Sequence, residues 1–272
     1  MKEIVQILVD AGIEPNEANI ELKMLIEHFA NFGVKDIIMG NKIDSEKLKI
    51  VKEKAILRAQ TRQPIQHIIG FADFMGEKFI VNKNVLIPRD ETEILVSKAI
   101  EIINKNNFTS ALDVGTGSGC IACMIAKYTD CQIIGVDISS DALNTALDNA
   151  SRLNLFNKAI FRKSDIYSNV REKFDIIISN PPYIPPKTPL QKEVTFDPEL
   201  ALFTQDEKGL EFYEKISENA PLNDGGYLLF ELGINQSQEV RQIMENNGFE
   251  NIEIIKDLAG IDRVIIGQTH CS

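Results

Sequence analysis

From Ser110 onward short apolar runs alternate with amphipathic stretches, and that alternation limits the folds open to the chain more than any other feature. The runs are "SALDV", "QIIGVD", "AIFRKSD", "FDIIISN", "GGYLLFELG", "FENIEII" and "RVIIG". Helical segments such as "GCIACMIAKY" and "SDALNTALDNASRL" lie between the early ones. Near-continuous apolar strands joined by helices bury both faces of a sheet, which predicts a doubly wound, mainly parallel α/β architecture. The last two runs are separated only by "KDLAGID", too short for a crossover helix, so they are expected to form an antiparallel hairpin at the end of the sheet.

The region before this sheet follows a different period. Across residues 1–70, Ile4, Ile7 and Leu8, then Leu22, Leu25, Ile26 and Phe29, recur at helical spacing, with breaks at Gly12, Pro15, Gly33 and Gly40. A further helix is expected to begin at a cap, Ser45, and to end before Pro64. These residues form a small helical bundle on this reading. Residues 71–90 are expected to be a hairpin or extended linker, broken at Gly76 and Asn82–Asn84, and residues 91–272 the sheet domain. "PRDETEILVSKAIEII" opens a helix with acidic residues in its first turns, where the helix dipole favours them.

Charge and cysteine usage exclude several classes. A formal net charge of −11 disfavours a protein whose main task is to hold a nucleic-acid backbone, so no direct nucleic-acid binding is expected. "MKEIVQILVDAGIEPNEA" lacks the apolar core of a signal peptide, and no apolar run approaches the roughly 18 residues of a membrane span, which points to the cytoplasm and to no membrane partner. Cys120 and Cys123 have redox-pair spacing but sit in an apolar helix pattern, and read as small core residues beside Cys131 and Cys271. His28, His67 and His270 are scattered, His67 packing or capping locally, and neither a metal site nor a catalytic triad is expected.

"ALDVGTGSGCIA" places Gly115, Gly117 and Gly119 directly after the first strand and at the mouth of a helix. Glycine permits a tight turn and lets a ligand approach the backbone, while the helix N-terminus offers free N–H groups. Thr116 and Ser118 complete the loop. Asp137 ends the next strand, roughly 20 residues on, where a carboxylate accepts hydrogen bonds from both ribose hydroxyls of an adenosine-containing ligand. As a helix cap alone it would be redundant, because Ser139 and Ser140 can fill that role. The spacing departs from the dinucleotide pattern G-x-G-x-x-G, and the loop offers no Lys or Arg to meet a pyrophosphate. A sulfonium cofactor without phosphates, S-adenosylmethionine, suits the acid-flanked loop better, although these residues alone leave the ligand open. Asp113 is placed to orient the loop or a methionine amino group, Asp165 to meet the adenine amino group, and Ile166 to lie against the ring.

"DIIISNPPYIPP" ends a buried strand at Ser179 or Asn180, because prolines cannot donate to a ladder. If that strand neighbours the one carrying the glycine loop, Asn180 faces the ligand crevice. The Asn180 and Pro181 carbonyls can then accept two hydrogen bonds from a planar –NH2, and Tyr183 can stack on it, with Pro182 stiffening the turn. A conjugated nitrogen is a poor nucleophile. Held so, its lone pair is localised without a strong base.

With these motifs goes a longer likeness. "RQPIQHIIGFADFMGEKFIVNKNVLIPRDETEILV", "ISNPPYIP", "FDPELALF", "GLEFYEKI", "GGYLLFELGINQ" and "DLAGIDRVIIG" together resemble the PrmC/HemK family over nearly the whole chain. The resemblance implies a class I (Rossmann-like) methyltransferase with a seven-stranded sheet, using S-adenosylmethionine to methylate N5 of the glutamine in the Gly-Gly-Gln motif of peptide chain release factors. It implies cofactor contacts from Gly115–Gly119, Asp137, Ile166 and Asn180, a substrate amide held by Asn180–Tyr183, and docking of the release factor by the helical domain and the 71–90 linker. The chain departs from the family in "ALFTQDEKGLEFY", which lacks paired glycines. It also has His67 where an aromatic is common, and Ile166 in a place that can hold an aromatic.

Three other readings compete. An adenine-N6 DNA or RNA methyltransferase suits the same turn but needs a basic channel for a flipped base. A non-catalytic S-adenosylmethionine-binding module would be marked by a degraded Asn-Pro-Pro-Tyr, and an NAD oxidoreductase by different glycine spacing.

Overall fold

A computed structural model of the chain describes residues 1–270, so Cys271 lies outside the described residues. The chain divides into two compact units, residues 1–71 with 190–196, and residues 72–189 with 197–270 among those described.

The first unit is helical: α1 (Lys2–Asp10), α2 (Pro15–Leu25) continuing into a π-helical turn (Ile26–Ala30), α3 (Val34–Ile38), α4 (Ser45–Thr61) and α5 (Ile65–Ile69). Its core joins Leu8, Leu22, Leu25, Val51 and Ala55, at the helical spacing visible in the sequence. The cap of α4 is Asp44, not Ser45: its carboxylate accepts from the backbone N–H of Glu46 at 2.9 Å and Lys47 at 3.2 Å. A carboxylate reaches these donors and also meets the positive end of the dipole, so the start shifts by one residue. Arg58 is buried in this unit, bonded through Nε to Glu21 at 2.9 Å and through a terminal nitrogen to Glu193 at 3.1 Å.

In the second unit β1 (Phe71–Phe74, whose first residue belongs to the helical unit) and β2 (Glu77–Ile80) form a two-stranded sheet. The long helix α6 (Asp90–Asn106) leads into β3 (Ser110–Val114), α7 (Cys120–Tyr128), β4 (Gln132–Asp137), α8 (Ser140–Arg152), β5 (Ala159–Lys163) and β6 (Phe174–Ser179). After short α9 (Glu199–Leu202) and α10 (Glu211–Ser217) come β7 (Leu222–Glu231), α11 (Ser237–Asn246), β8 (Phe249–Lys256) and β9 (Asp262–Thr269).

The seven-stranded sheet has the order β5-β4-β3-β6-β7-β9-β8. Its first five strands run parallel, and β9 pairs antiparallel with both β7 and β8. This is the expected class I methyltransferase sheet with its terminal hairpin. β5 is shorter than "AIFRKSD" suggested: the Ser164 amide still donates to the Asp137 carbonyl at 3.0 Å, but its hydroxyl and the Asp165 amide build a turn. Alternate residues serve opposite faces, so Ala111, Ile176, Ile178 and Leu229 pack under α6 and α7, while Leu112, Ile177, Leu228 and Phe230 meet α10 and α11. Cys120, Cys123 and Cys131 are buried free thiols, as core residues would be. Burial pushes Cys120 and Cys131 up to about 12, which makes them poor nucleophiles.

Candidate active site

The chain order places β4 and β5 on one side of β3, then returns to lay β6 on the other, so the strand order reverses between the parallel neighbours β3 and β6. Ligands of such sheets bind outside the carboxyl ends at that reversal. Val114 and Ser179, the last residues of β3 and β6, are register partners, so Gly115 and Asn180 leave the sheet side by side. Asn180 therefore stands at the crevice beside the glycine loop.

A cleft of about 310 Å³ opens there. Its walls include Gly115, Gly117, Asp137, Asp165, Ile166, Asn180, Pro181 and Pro182. Asp113, Thr116, Ser118, Gly119 and Tyr183 do not line it.

The glycine loop shows why its residues are small. Gly115, Gly117 and Gly119 all have left-handed backbones, at φ 76°, 54° and 78°. The amides of Gly115 and Thr116 both donate to the Val136 carbonyl at 2.9 Å, which curls the loop back over β4. Beneath it the Thr116 hydroxyl donates to Asp113 at 2.6 Å. Asp113 is fully buried, and desolvation pushes its carboxyl up to about 7 against that hydrogen bond. Of its two expected roles, this contact corresponds to orienting the loop. Asn149 of α8 adds a tie absent from the sequence expectations, donating to the Ser118 carbonyl at 2.9 Å.

Asp137 is oriented on both oxygens. Oδ2 accepts from the Gly117 amide at 2.9 Å and Oδ1 from the Ser139 amide at 2.8 Å. Ser139 caps α8, accepting from the Ala142 amide at 3.2 Å, so the carboxylate is not needed as the cap. A carboxylate has about four acceptor positions, which leaves lone pairs for two hydroxyls. Burial raises its pKa, only partly offset by these amides.

Ile166 is a β-branched residue in a left-handed conformation, φ 47°, a strained state that needs support. The support is Ser164, whose hydroxyl donates to the Ile166 carbonyl at 2.8 Å and accepts from the Asn169 amide at 3.0 Å. Lys215 is the only basic side chain lining the cleft among the described residues, and it is paired with Glu211 at 2.6 Å. With Asp137 and Asp165 also present, the cleft is acidic and has no free cation for a phosphate. It suits a cationic, phosphate-free ligand with a ribose.

The proline turn is held from three sides. The Ser179 hydroxyl donates to the Val114 carbonyl at 2.7 Å. The Gln236 side-chain amide donates to the Tyr183 carbonyl at 3.1 Å and to the Lys208 carbonyl at 3.0 Å. Gly209 has φ 74°, and a Cβ there would come within 2.1 Å of the Tyr183 carbonyl oxygen, so the loop can close on the turn only with glycine. The Tyr183 ring packs into the apolar cluster below the turn, and burial raises its pKa above the usual range. Asn180 itself donates from Nδ2 to the Thr92 hydroxyl at 3.2 Å, and Thr92 donates in turn to Glu231 at 2.6 Å.

Several residues at the site carry no local signal in the sequence. Asn84, Val85 and Leu86 of the 71–90 segment line the cleft, as do Leu200, Ala201 and Gln205. Thr92 and Glu231 lie in stretches that resemble the family, "PRDETEILV" and "GGYLLFELGINQ". An acid closing the apolar run "YLLFE" was the available signal for Glu231.

Residues 90–195 match the model of the methyltransferase small domain. The chain is 41% identical over 216 residues to a release factor glutamine methyltransferase of Clostridium acetobutylicum, covering 75% of each chain. It is 36% identical over 258 residues to a release factor glutamine methyltransferase of Neisseria gonorrhoeae, covering 92% of this chain and 93% of that one. Among solved structures, a methyltransferase from Pyrococcus furiosus superposes with a TM-score of 0.54 at 21% identity, over 83% of this chain and 98% of that one, a likeness of fold.

Proposed function

The chain belongs to the release factor glutamine methyltransferase family, and from that premise we propose that it methylates N5 of the glutamine in the Gly-Gly-Gln motif of peptide chain release factors, with S-adenosylmethionine as donor. The observation that carries the mechanism is the pairing of Val114 with Ser179, which sets the glycine loop and Asn180 at adjacent strand ends in one acidic cleft.

The residues present fit that donor. Asp137 would take the ribose hydroxyls with its unused lone pairs, Gly115 and Gly117 would let the ligand lie against the backbone, and Ile166 and Asp165 would border the adenine. Bound there, S-adenosylmethionine supplies an electrophilic methyl group on a positively charged sulfur.

The chain's own work is done on the glutamine amide. Its nitrogen lone pair is delocalised into the carbonyl, so it attacks poorly. Acceptance of the two N–H bonds by the Asn180 side-chain oxygen and the Pro181 carbonyl favours a pyramidal nitrogen and aims its lone pair into the cleft. Pro181 and Pro182 fix the acceptors before binding, so little reorganisation remains. Tyr183, packed beneath the turn and held through its carbonyl by Gln236, stiffens that platform. Once the methyl group has moved, the nitrogen carries an excess proton that water can remove. No buried base is required.

The test offers radiolabelled S-adenosylmethionine with an unmodified release factor, and separately with DNA and with RNA. Label on the Gly-Gly-Gln glutamine, located by peptide mass spectrometry, is the expected result. Label on adenine, with none on the release factor, overturns the reading.

A further inference from the structure

An asparagine amide is almost symmetric in shape, yet only one of its ends can accept a hydrogen bond. Nothing in the proline turn itself dictates which end of Asn180 meets the substrate. The dictation comes from two buried side chains outside the motif. Thr92, in the first turn of α6, is 2% exposed, and Glu231, the last residue of β7, is 3% exposed. The Thr92 hydroxyl lies 2.6 Å from Glu231 Oε2 and 3.2 Å from Asn180 Nδ2.

We propose that Thr92 and Glu231 form a positioning relay that fixes the Asn180 amide with its NH2 turned inward and its oxygen toward the substrate nitrogen. The proposal rests on Asn180 acting as an acceptor for the substrate amide.

The polarity follows from proton counting. An ionised carboxylate can only accept, so the single Thr92 hydroxyl proton lies toward Glu231. The remaining Thr92 lone pairs can only accept, so the Asn180 atom facing them must be the nitrogen. A flipped amide would set two acceptor oxygens together with no proton between them. Thr92 and Glu231 touch neither ligand in this scheme; they act through Asn180.

The relay depends on Glu231 being ionised. Burial pushes its carboxyl up to about 7, with Glu91 raising it further and the hydrogen bonds from Thr92 and Asn180 and the charge of Arg263 opposing. The groups facing it are Thr92 and Glu91 of α6, Arg263 of β9, Tyr183 and Asn180 after β6, and Cys120 of α7. Cys120 and Tyr183 titrate far above it. Protonated, Glu231 can donate to Thr92, whose proton is then free to turn toward Asn180 and reverse the amide. The active form is therefore the ionised one, and kcat should fall as pH drops through about 7.

The test compares Thr92→Val, Thr92→Ser, Glu231→Gln and Asn180→Ala in the full chain with an unmodified release factor, measuring kcat, KM, cofactor affinity by calorimetry and the pH profile. Thr92→Val and Glu231→Gln are each expected to lower kcat on the order of tenfold or more, with cofactor Kd and KM within about twofold. Thr92→Ser, which keeps the hydroxyl, should restore most of kcat, and the acid limb near pH 7 should vanish in Glu231→Gln. A purely packing role predicts the reverse for valine and serine, since valine preserves the shape and serine does not. Unchanged kcat and pH profile in Thr92→Val and Glu231→Gln, with Asn180→Ala inactive, overturns the relay alone. Near-normal turnover in Asn180→Ala overturns the amide-acceptor reading and the relay with it.

Discussion

The Ser179 hydroxyl donates to the Val114 carbonyl at 2.7 Å, joining the last residue of β6 to the last residue of β3 where the strand order reverses. Beyond this point β3 releases the glycine loop and β6 the proline turn, so this buried hydrogen bond adds to the backbone ladder that sets the two halves of the cleft side by side. Removing it with Ser179→Ala leaves the Val114 carbonyl without that donor. The expected cost is about 1 kcal/mol of stability by denaturant unfolding, together with a several-fold loss of kcat.

Asp137 holds the glycine loop through Gly117, and in the proposed function its remaining lone pairs would meet the cofactor ribose. Asp137→Ala should weaken S-adenosylmethionine binding at least tenfold by calorimetry, because ribose contacts and loop order are lost together. Asp137→Asn, with one acceptor oxygen left, should fall between wild type and alanine. Equal affinity in all three would remove Asp137 from the cofactor site.

Ile166 stays at φ 47° under the restraint of the Ser164 hydroxyl. Ser164→Ala removes the three hydrogen bonds its hydroxyl makes at that turn, to Ile166, Asn169 and Ser168, and Ile166 should relax toward the ordinary region. Cofactor affinity is expected to drop several-fold while overall stability changes by only about 1–2 kcal/mol. A crystal structure of the variant would report the backbone angle directly.

Glu231 and Asp113 give stability a definite pH sign. Both carboxyls are raised to about 7 by burial, from ordinary values of 4.5 and 3.8. Between the ordinary and raised values the folded chain binds more protons than the unfolded one, so stability falls as pH rises through that window. Glu231→Gln should therefore raise the melting temperature at pH 8 and leave it unchanged near pH 4. The gain is at most about 3 kcal/mol. Greater stability paired with lower kcat would mark Glu231 as retained for function.

In the helical unit Arg58 bridges buried Glu21 and the Glu193 side chain. Arg58→Ala leaves Glu21 buried without its partner and should destabilise by about 3 kcal/mol. Adding Glu21→Ala should recover part of that loss, measured as a double-mutant cycle in urea.

Much of this molecule was legible in order along the chain. The strands SALDV and QIIGVD and the helices after them follow from apolar runs and their breaks, which are local properties. The three glycines announced their loop because left-handed backbone strongly favours glycine, and the prolines announced the end of β6 because they cannot donate to a ladder. Asp44 rather than Ser45 as a helix cap shows where local reasoning slips: either side chain can cap, and one residue of register decides.

What the sequence by itself determined was the run of sheet strands and the places of the glycine loop and the proline turn, since these are dictated by backbone limits and apolar periodicity acting over a few residues, with Asp137 marked by its position at a strand end. Only the tertiary structure decided that Gly115 and Asn180 stand side by side, that Asp113 is fully buried beneath the glycine loop, and that Thr92 meets Glu231 across a long stretch of chain. These depend on strand order and on which face each side chain buries. Such relations join residues distant in the chain, and no local pattern encodes the distance between them.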